Sequence, residues 1–171
     1  MLVLAVTLIG HARSGRALDN DKTRGSLEGI PGVFLVVEDL RLEIEEDGLT
    51  RNGIHGTARE LLSSARIRLL SEAEWQQTPG RPWLYLYVHV MRREYVEERV
   101  YVFNISIEVK QRVKLVRAPE AEPVHATTWS RSILGKSGRL EDIRKGVEIC
   151  LQDFVEAYRS VNGTPENGSA R

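Results

Sequence analysis

The chain has 171 residues, is 42% hydrophobic and 28% charged, and balances 24 Lys and Arg against 24 Asp and Glu. That length suits one domain able to bury roughly two-thirds of its unfolded surface without a metal or disulfide staple, and the hydrophobic fraction excludes a mainly disordered chain. Zero formal net charge argues against a generally basic nucleic-acid binder, and the single Cys150 excludes an internal disulfide or a multi-cysteine metal site.

Leu2 to Ile9 is an apolar run, far short of the ~18 residues a transmembrane helix needs but within the range of a signal-peptide core. Gly15-Arg16-Ala17 supplies a small-x-small cleavage site, and residues 1–17 are expected to be a signal peptide. The basic residues follow the apolar run rather than precede it, which departs from that pattern. The competing reading is a first β-strand. Residues 18–31 carry Gly25, Gly29 and Pro31 among polar residues and read as a linker.

A single domain is expected over 32–162. Val33 to Val37 is apolar on both parities, as in a strand buried on both faces or central in its sheet. The acidic stretch Glu43, Glu45, Glu46, Asp47 reads as a solvated loop. Thr50 is a candidate N-cap for an amphipathic helix over 50–65, with Ile54, Ala58, Leu61, Leu62 and Ala65 on one stripe. Ile67 to Leu70 reads as a short strand. Ser71 to Glu74 forms a capping box that opens one helical turn carrying Trp75.

Two long alternating strands follow, joined by a charged hairpin. In the first, Leu84, Leu86, Val88 and Val90 share one face, and Tyr85, Tyr87, His89 and Met91 share the other. In the second, Tyr101 through Val109 alternate with Asn104, Ser106, Glu108, Lys110 and Arg112. Such alternation means one packed face and one wet face, and the length predicts a bulge. His125 to Ile133 is the last expected strand, Gly135 to Gly138 a turn, and Leu140 to Val161 the clearest helix. Residues 163–171 are expected to form a disordered tail. The order β-α-β-β-β-β-α predicts an α+β two-layer sandwich: a mixed or antiparallel sheet of about five strands with two amphipathic helices on one face.

Chemistry-bearing patterns are few. Gly135-Lys136-Ser137 resembles the end of a P-loop, but the required upstream glycine is Ser130. A single anion at the helix N-terminus, held by Lys136 and Ser137 with Trp129 beside them, is the alternative binding site. His11, His55, His89 and His125 are scattered, although His89 and His125 could approach across strands; no metal or cofactor is expected. Cys150 lies on the apolar stripe of the last helix and reads as an inert thiol. No constellation of nucleophile, base and stabiliser assembles, so no enzyme is expected.

Gly32 to Leu40, Ala65 to Leu70, Ser71 to Trp75, Leu84 to Val88, Ser106 to Val109, Ala126 to Ser130 and Phe154 to Tyr158 together resemble a group of small exported bacterial proteins of uncharacterised function. The element order is also similar to the N-terminal domain of TolB. Both resemblances imply an envelope location, periplasmic or secreted, and neither implies catalytic residues. A cytoplasmic location would follow if the N-terminal run is not a signal peptide. The leading expectation is a non-enzymatic domain that binds a protein or envelope component through the open sheet face: Tyr85, Tyr87, His89, Asn104, Ser106, Lys110 and Arg112. No nucleic-acid partner and no integral membrane segment are expected, and a long edge strand could pair with a second copy.

Overall fold

The structure, a computed structural model, describes residues 13–94 and 98–163. The apolar run at 2–9 and the tail at 164–171 lie outside the described residues. The fold is α+β. In chain order its elements are β1 (Arg13–Leu18), α1 (Asp21–Gly25), β2 (Phe34–Val37), α2 (Leu42–Glu46), α3 (Arg51–Ser64), α4 (Glu72–Gln77), β3 (Trp83–Glu94), β4 (Arg99–Val113), β5 (Val124–Ser137) and α5 (Leu140–Asn162). The strands form one mixed sheet in the order β1-β5-β4-β3-β2. The β2/β3 pair is parallel and the others are antiparallel.

The two-residue period of β3 and β4 fixes which face is packed. Leu84, Leu86, Val88 and Val90 on β3, and Tyr101, Phe103, Ile105, Ile107 and Val109 on β4, are buried. α3 covers them with Ile54, Ala58 and Leu62, and α5 with Ile143, Val147, Leu151 and Phe154. Gly146 allows α5 to approach closely, since a Cβ there would stand 2.6 Å from Ile105 Cδ1. Thr50 caps α3 by accepting from the Gly53 amide at 3.1 Å, and Ser71 and Glu74 form the capping box of α4. The bulge expected in the long strands is present, as a register shift of β5 at Val109/Lys110.

Several sequence expectations are corrected. Four of the expected strands form; Ile67–Leu70 makes only an isolated parallel bridge, Val33 to Leu69. A left-handed Arg66 (φ 59) turns the chain out of α3, so only this short stretch reaches the flank of β2. β2 is consequently not central: it is the last named strand at its side of the sheet. The outermost position at the other side belongs to β1, which overlaps the expected cleavage site.

Residues 18–31 are not a loose linker. Asn20 and Thr23 form a capping box for α1, and Leu27 and Ile30 are buried. Asn162 at the end of α5 holds this segment from both sides, donating to Leu27 O at 2.9 Å and accepting from the Gly29 amide at 2.8 Å. Tyr158 Oη donates to Ile30 O at 2.9 Å.

The acidic stretch forms α2, and Asp47 is not solvated. Its side chain, 9% exposed, accepts from Arg92 and Arg99 at 3.1 Å and from Tyr101 Oη at 3.0 Å. Burial pushes its pKa up, but the hydrogen bonds from Tyr101 and Arg92 outweigh that and hold it below the ordinary aspartate value.

Candidate functional site

The sheet face away from α3 and α5 carries the alternate residues of β3 and β4, all half-buried: Tyr85, Tyr87 and His89 on β3, and Asn104, Ser106 and Lys110 on β4. The antiparallel register sets His89 opposite Asn104, Tyr87 opposite Ser106 and Tyr85 opposite Glu108. Arg112, opposite His125 of β5, continues the same parity. The seven residues expected to form a binding face therefore do share one surface.

Their side chains are mutually engaged. Lys110 Nζ stands 4.1 Å from the centre of the Tyr85 ring and 3.4 Å from Glu108 Oε2. Glu108 also accepts from Thr127 Oγ1 at 3.0 Å and from Ser106 Oγ at 3.4 Å. Tyr87 and His89 stack with centroids 5.9 Å apart and share a 3.3 Å hydrogen bond. The Tyr85 phenol is pushed up to about 12, by burial first and then by neighbouring Glu38, so it stays protonated and acts as a donor.

A second group of rings extends this surface, and the sequence reading did not find it. Phe34 of β2, Trp75 of α4, Trp83 of β3 and His125 of β5 form a continuous stack with centroid spacings of 5.4, 5.4 and 4.9 Å. The Arg81 guanidinium lies 5.9 Å from the Trp75 ring. Phe34 and Trp83 are register partners, so their rings emerge on the same side of the sheet. Trp75 enters between them because the capped turn of α4 lies over the β2 end of the open face. The face is thus covered at that corner and uncovered across β3, β4 and β5. The only signal in the sequence was that Trp75 and Trp83 flank the Thr78-to-Pro82 turn; Phe34 and His125 come from distant segments.

The alternative site does not assemble. Lys136 and Ser137 are the last residues of β5 rather than a turn, and pair with Val102 and Tyr101. Trp129 pairs with Val109, seven positions earlier and about 23 Å along the strand. It is fully buried on the helix side against Phe154, and its indole donates to Asp19 at 3.1 Å. Ser137 does not cap α5; the N-cap is Arg139, without a side-chain cap. Acidic Glu141 and Asp142 occupy the first turn, and Asp142 is held by Arg139 and Ser137. His89 and His125 also stay apart, each stacked on a different ring.

Cys150 is fully buried, and burial pushes its thiol up to about 12, which removes the thiolate that nucleophilic or metal chemistry requires. Among the described residues there is no group of three or more His, Cys, Asp or Glu arranged to hold a metal, and no helix long and apolar enough to cross a membrane. Neither a protein-family profile nor a curated protein matches the chain.

Proposed function

We propose that this chain is a non-catalytic binding domain of the bacterial envelope that contacts a protein through the open face of its sheet. One observation carries the reading. The rings of Phe34, Trp75, Trp83, Tyr85, Tyr87, His89 and His125 gather on the sheet face that α3 and α5 leave uncovered. A cluster of rings on one sheet face is the kind of patch that marks an interaction surface, and Tyr, Trp and Arg are the residue types that anchor protein interfaces.

The geometry favours a protein over a nucleic acid. Nucleobases need a free ring face on which to stack. Here both indoles lack one, Trp75 lying between Phe34 and Trp83 and Trp83 between Trp75 and His125, while Lys110 stands over one face of Tyr85 and Tyr87 lies against His89. Lys110, Arg112 and Arg81 lie among the half-buried rings, a mixed surface suited to protein side chains and backbone carbonyls.

The test is in situ photocrosslinking from position 87 in the native host, with position 60 on exposed α3 as the control. A discrete adduct specific to position 87, abolished by the paired substitutions Tyr85→Ala and Arg112→Ala, is the expected result. An adduct pattern identical at both positions, or unaffected by those substitutions, overturns the assignment. The envelope location rests on the N-terminal pattern and is tested by N-terminal sequencing of the native protein. A mature chain in the envelope starting at Leu18 supports it, and an uncleaved cytoplasmic chain rejects it. Cleavage there would also remove all of β1 but Leu18 and leave most of the outer edge of β5 open to pairing with another strand.

A further inference from the structure

The opposite side of the molecule carries a second feature, independent of the open sheet face. Between the C-terminal halves of α3 and α5 lies a groove of about 620 Å³, within the range of small-molecule sites. Leu61, Ala65 and Val155 give it an apolar floor and walls, with Ser64 and Ser160 at one end and Gln152 at the other. Arg159 lies at the serine end. Its Nη2 donates to Ala65 O at 3.2 Å, while its Nε is buried without an acceptor. No carboxylate pairs with this guanidinium among the described residues. Glu156, the acidic residue on the rim, is turned to Arg24 at 3.7 Å.

An apolar trough ending in an uncompensated cation is complementary to one class of small molecule. We propose that the groove binds a single-chain amphiphile with a carboxylate head, a medium-chain fatty acid. The head accepts hydrogen bonds from Arg159 and the Ser64 hydroxyl, since Ser160 Oγ already donates to Ala157 O at 2.7 Å, and the alkyl chain lies over Leu61 and Val155. The length sets the size of the ligand. From Ser160 back to Gln152 is eight residues of helix, about 12 Å, which matches a chain of roughly ten carbons. Arg159 supplies the selectivity, because a guanidinium fork fits a carboxylate and gains little from an alcohol.

Equilibrium dialysis of the full chain against decanoate and decanol tests this. Saturable decanoate binding at least tenfold tighter than decanol is expected. Arg159→Gln, which retains a donor for Ala65 O, is expected to erase that preference by weakening decanoate alone. Val155→Trp, at a half-exposed position, is expected to fill the trough and abolish binding of both. Amide chemical-shift mapping on the unsubstituted protein keeps the test decisive if a variant fails to fold, and should place decanoate at Leu61, Ala65, Val155 and Arg159. Absence of saturable binding, equal affinity for decanoate and decanol, or shifts confined to other residues overturns the proposal. So does a groove that ignores decanoate but becomes protected from hydrogen exchange on addition of a helical protein segment.

Discussion

Asp47 is the residue on which the hairpin end of the molecule turns. It follows α2, yet its carboxylate receives Arg92 from β3 and both Arg99 and Tyr101 from β4, so one side chain fastens a helix end to two strands. A hydrogen bond to a charged group contributes roughly 1.5–3 kcal/mol when shielded, but Arg99 is half exposed and solvent screens its share. Asp47→Asn is therefore expected to cost about 1–2 kcal/mol, read from the urea midpoint at neutral pH. The folded-state pKa lies below the unfolded one, so the carboxylate's contribution is complete above the ordinary aspartate value and is lost as pH falls through the folded value. The stability gap between the native and Asn proteins should accordingly narrow in acid. A gap that stays constant down to the acid transition would show that Asp47 acts through shape rather than charge.

At the scale of elements, two glycines show how closely the layers are set. A Cβ on Gly32 would lie 2.5 Å from Arg68 O and 3.0 Å from Arg68 Cβ, beside the parallel bridge where the Val33 amide bonds to that same carbonyl at 3.0 Å. Backbone cannot yield there, and Gly32→Ala is expected to destabilise by about 2 kcal/mol or more. A Cβ on Gly146 meets only the terminal methyl of Ile105, which can turn aside as backbone cannot, and alanine gains roughly 1 kcal/mol of helix propensity over glycine, so Gly146→Ala should shift stability by less than about 1 kcal/mol. Thermal melts of the two variants test the contrast, and a larger loss at Gly146 would contradict it.

These elements also mark what the sequence discloses. β3, β4, α3 and α5 follow directly from periods of two and of about 3.6 residues, because burial on one face imposes those periods. The capping box at Ser71 likewise locates α4. The glycines of segment 18–31 imitate a linker, although Asn20 and Thr23 at capping distance are a local sign of α1. The end of β5 imitates a turn for the same reason: Gly135 lies within a strand, and a Cβ there would stand 2.7 Å from the Phe103 ring. Within the candidate face, Tyr85, Tyr87 and His89 were legible as one parity of one strand. The stack of Phe34, Trp75, Trp83 and His125 was not, because it is assembled by tertiary contact from four elements and no local spacing encodes it.

For the whole molecule, the buried seam between sheet and helices is its stabilising centre, and Cys150 sits within it. Burial keeps this thiol protonated and out of reach, so its reaction with a disulfide reagent at pH 8 should proceed only through opening of the two layers. The rate is expected to rise with urea in step with global unfolding. A fast reaction in native buffer would reveal a local opening of α5.

The clasp between Asn162 and the Leu27–Gly29 turn carries a consequence for how the chain is made. The segment from β1 to Gly29 finds its partners in β5 and at the last turn of α5. On the ribosome, α1 emerges before β5 and α5 and has nothing on which to settle until Asn162, 135 residues after Leu27, has been made. Closure of this side of the fold is therefore a late, long-range event. Until then the segment around α1 stays undocked, which leaves it available to whatever else handles nascent polypeptides.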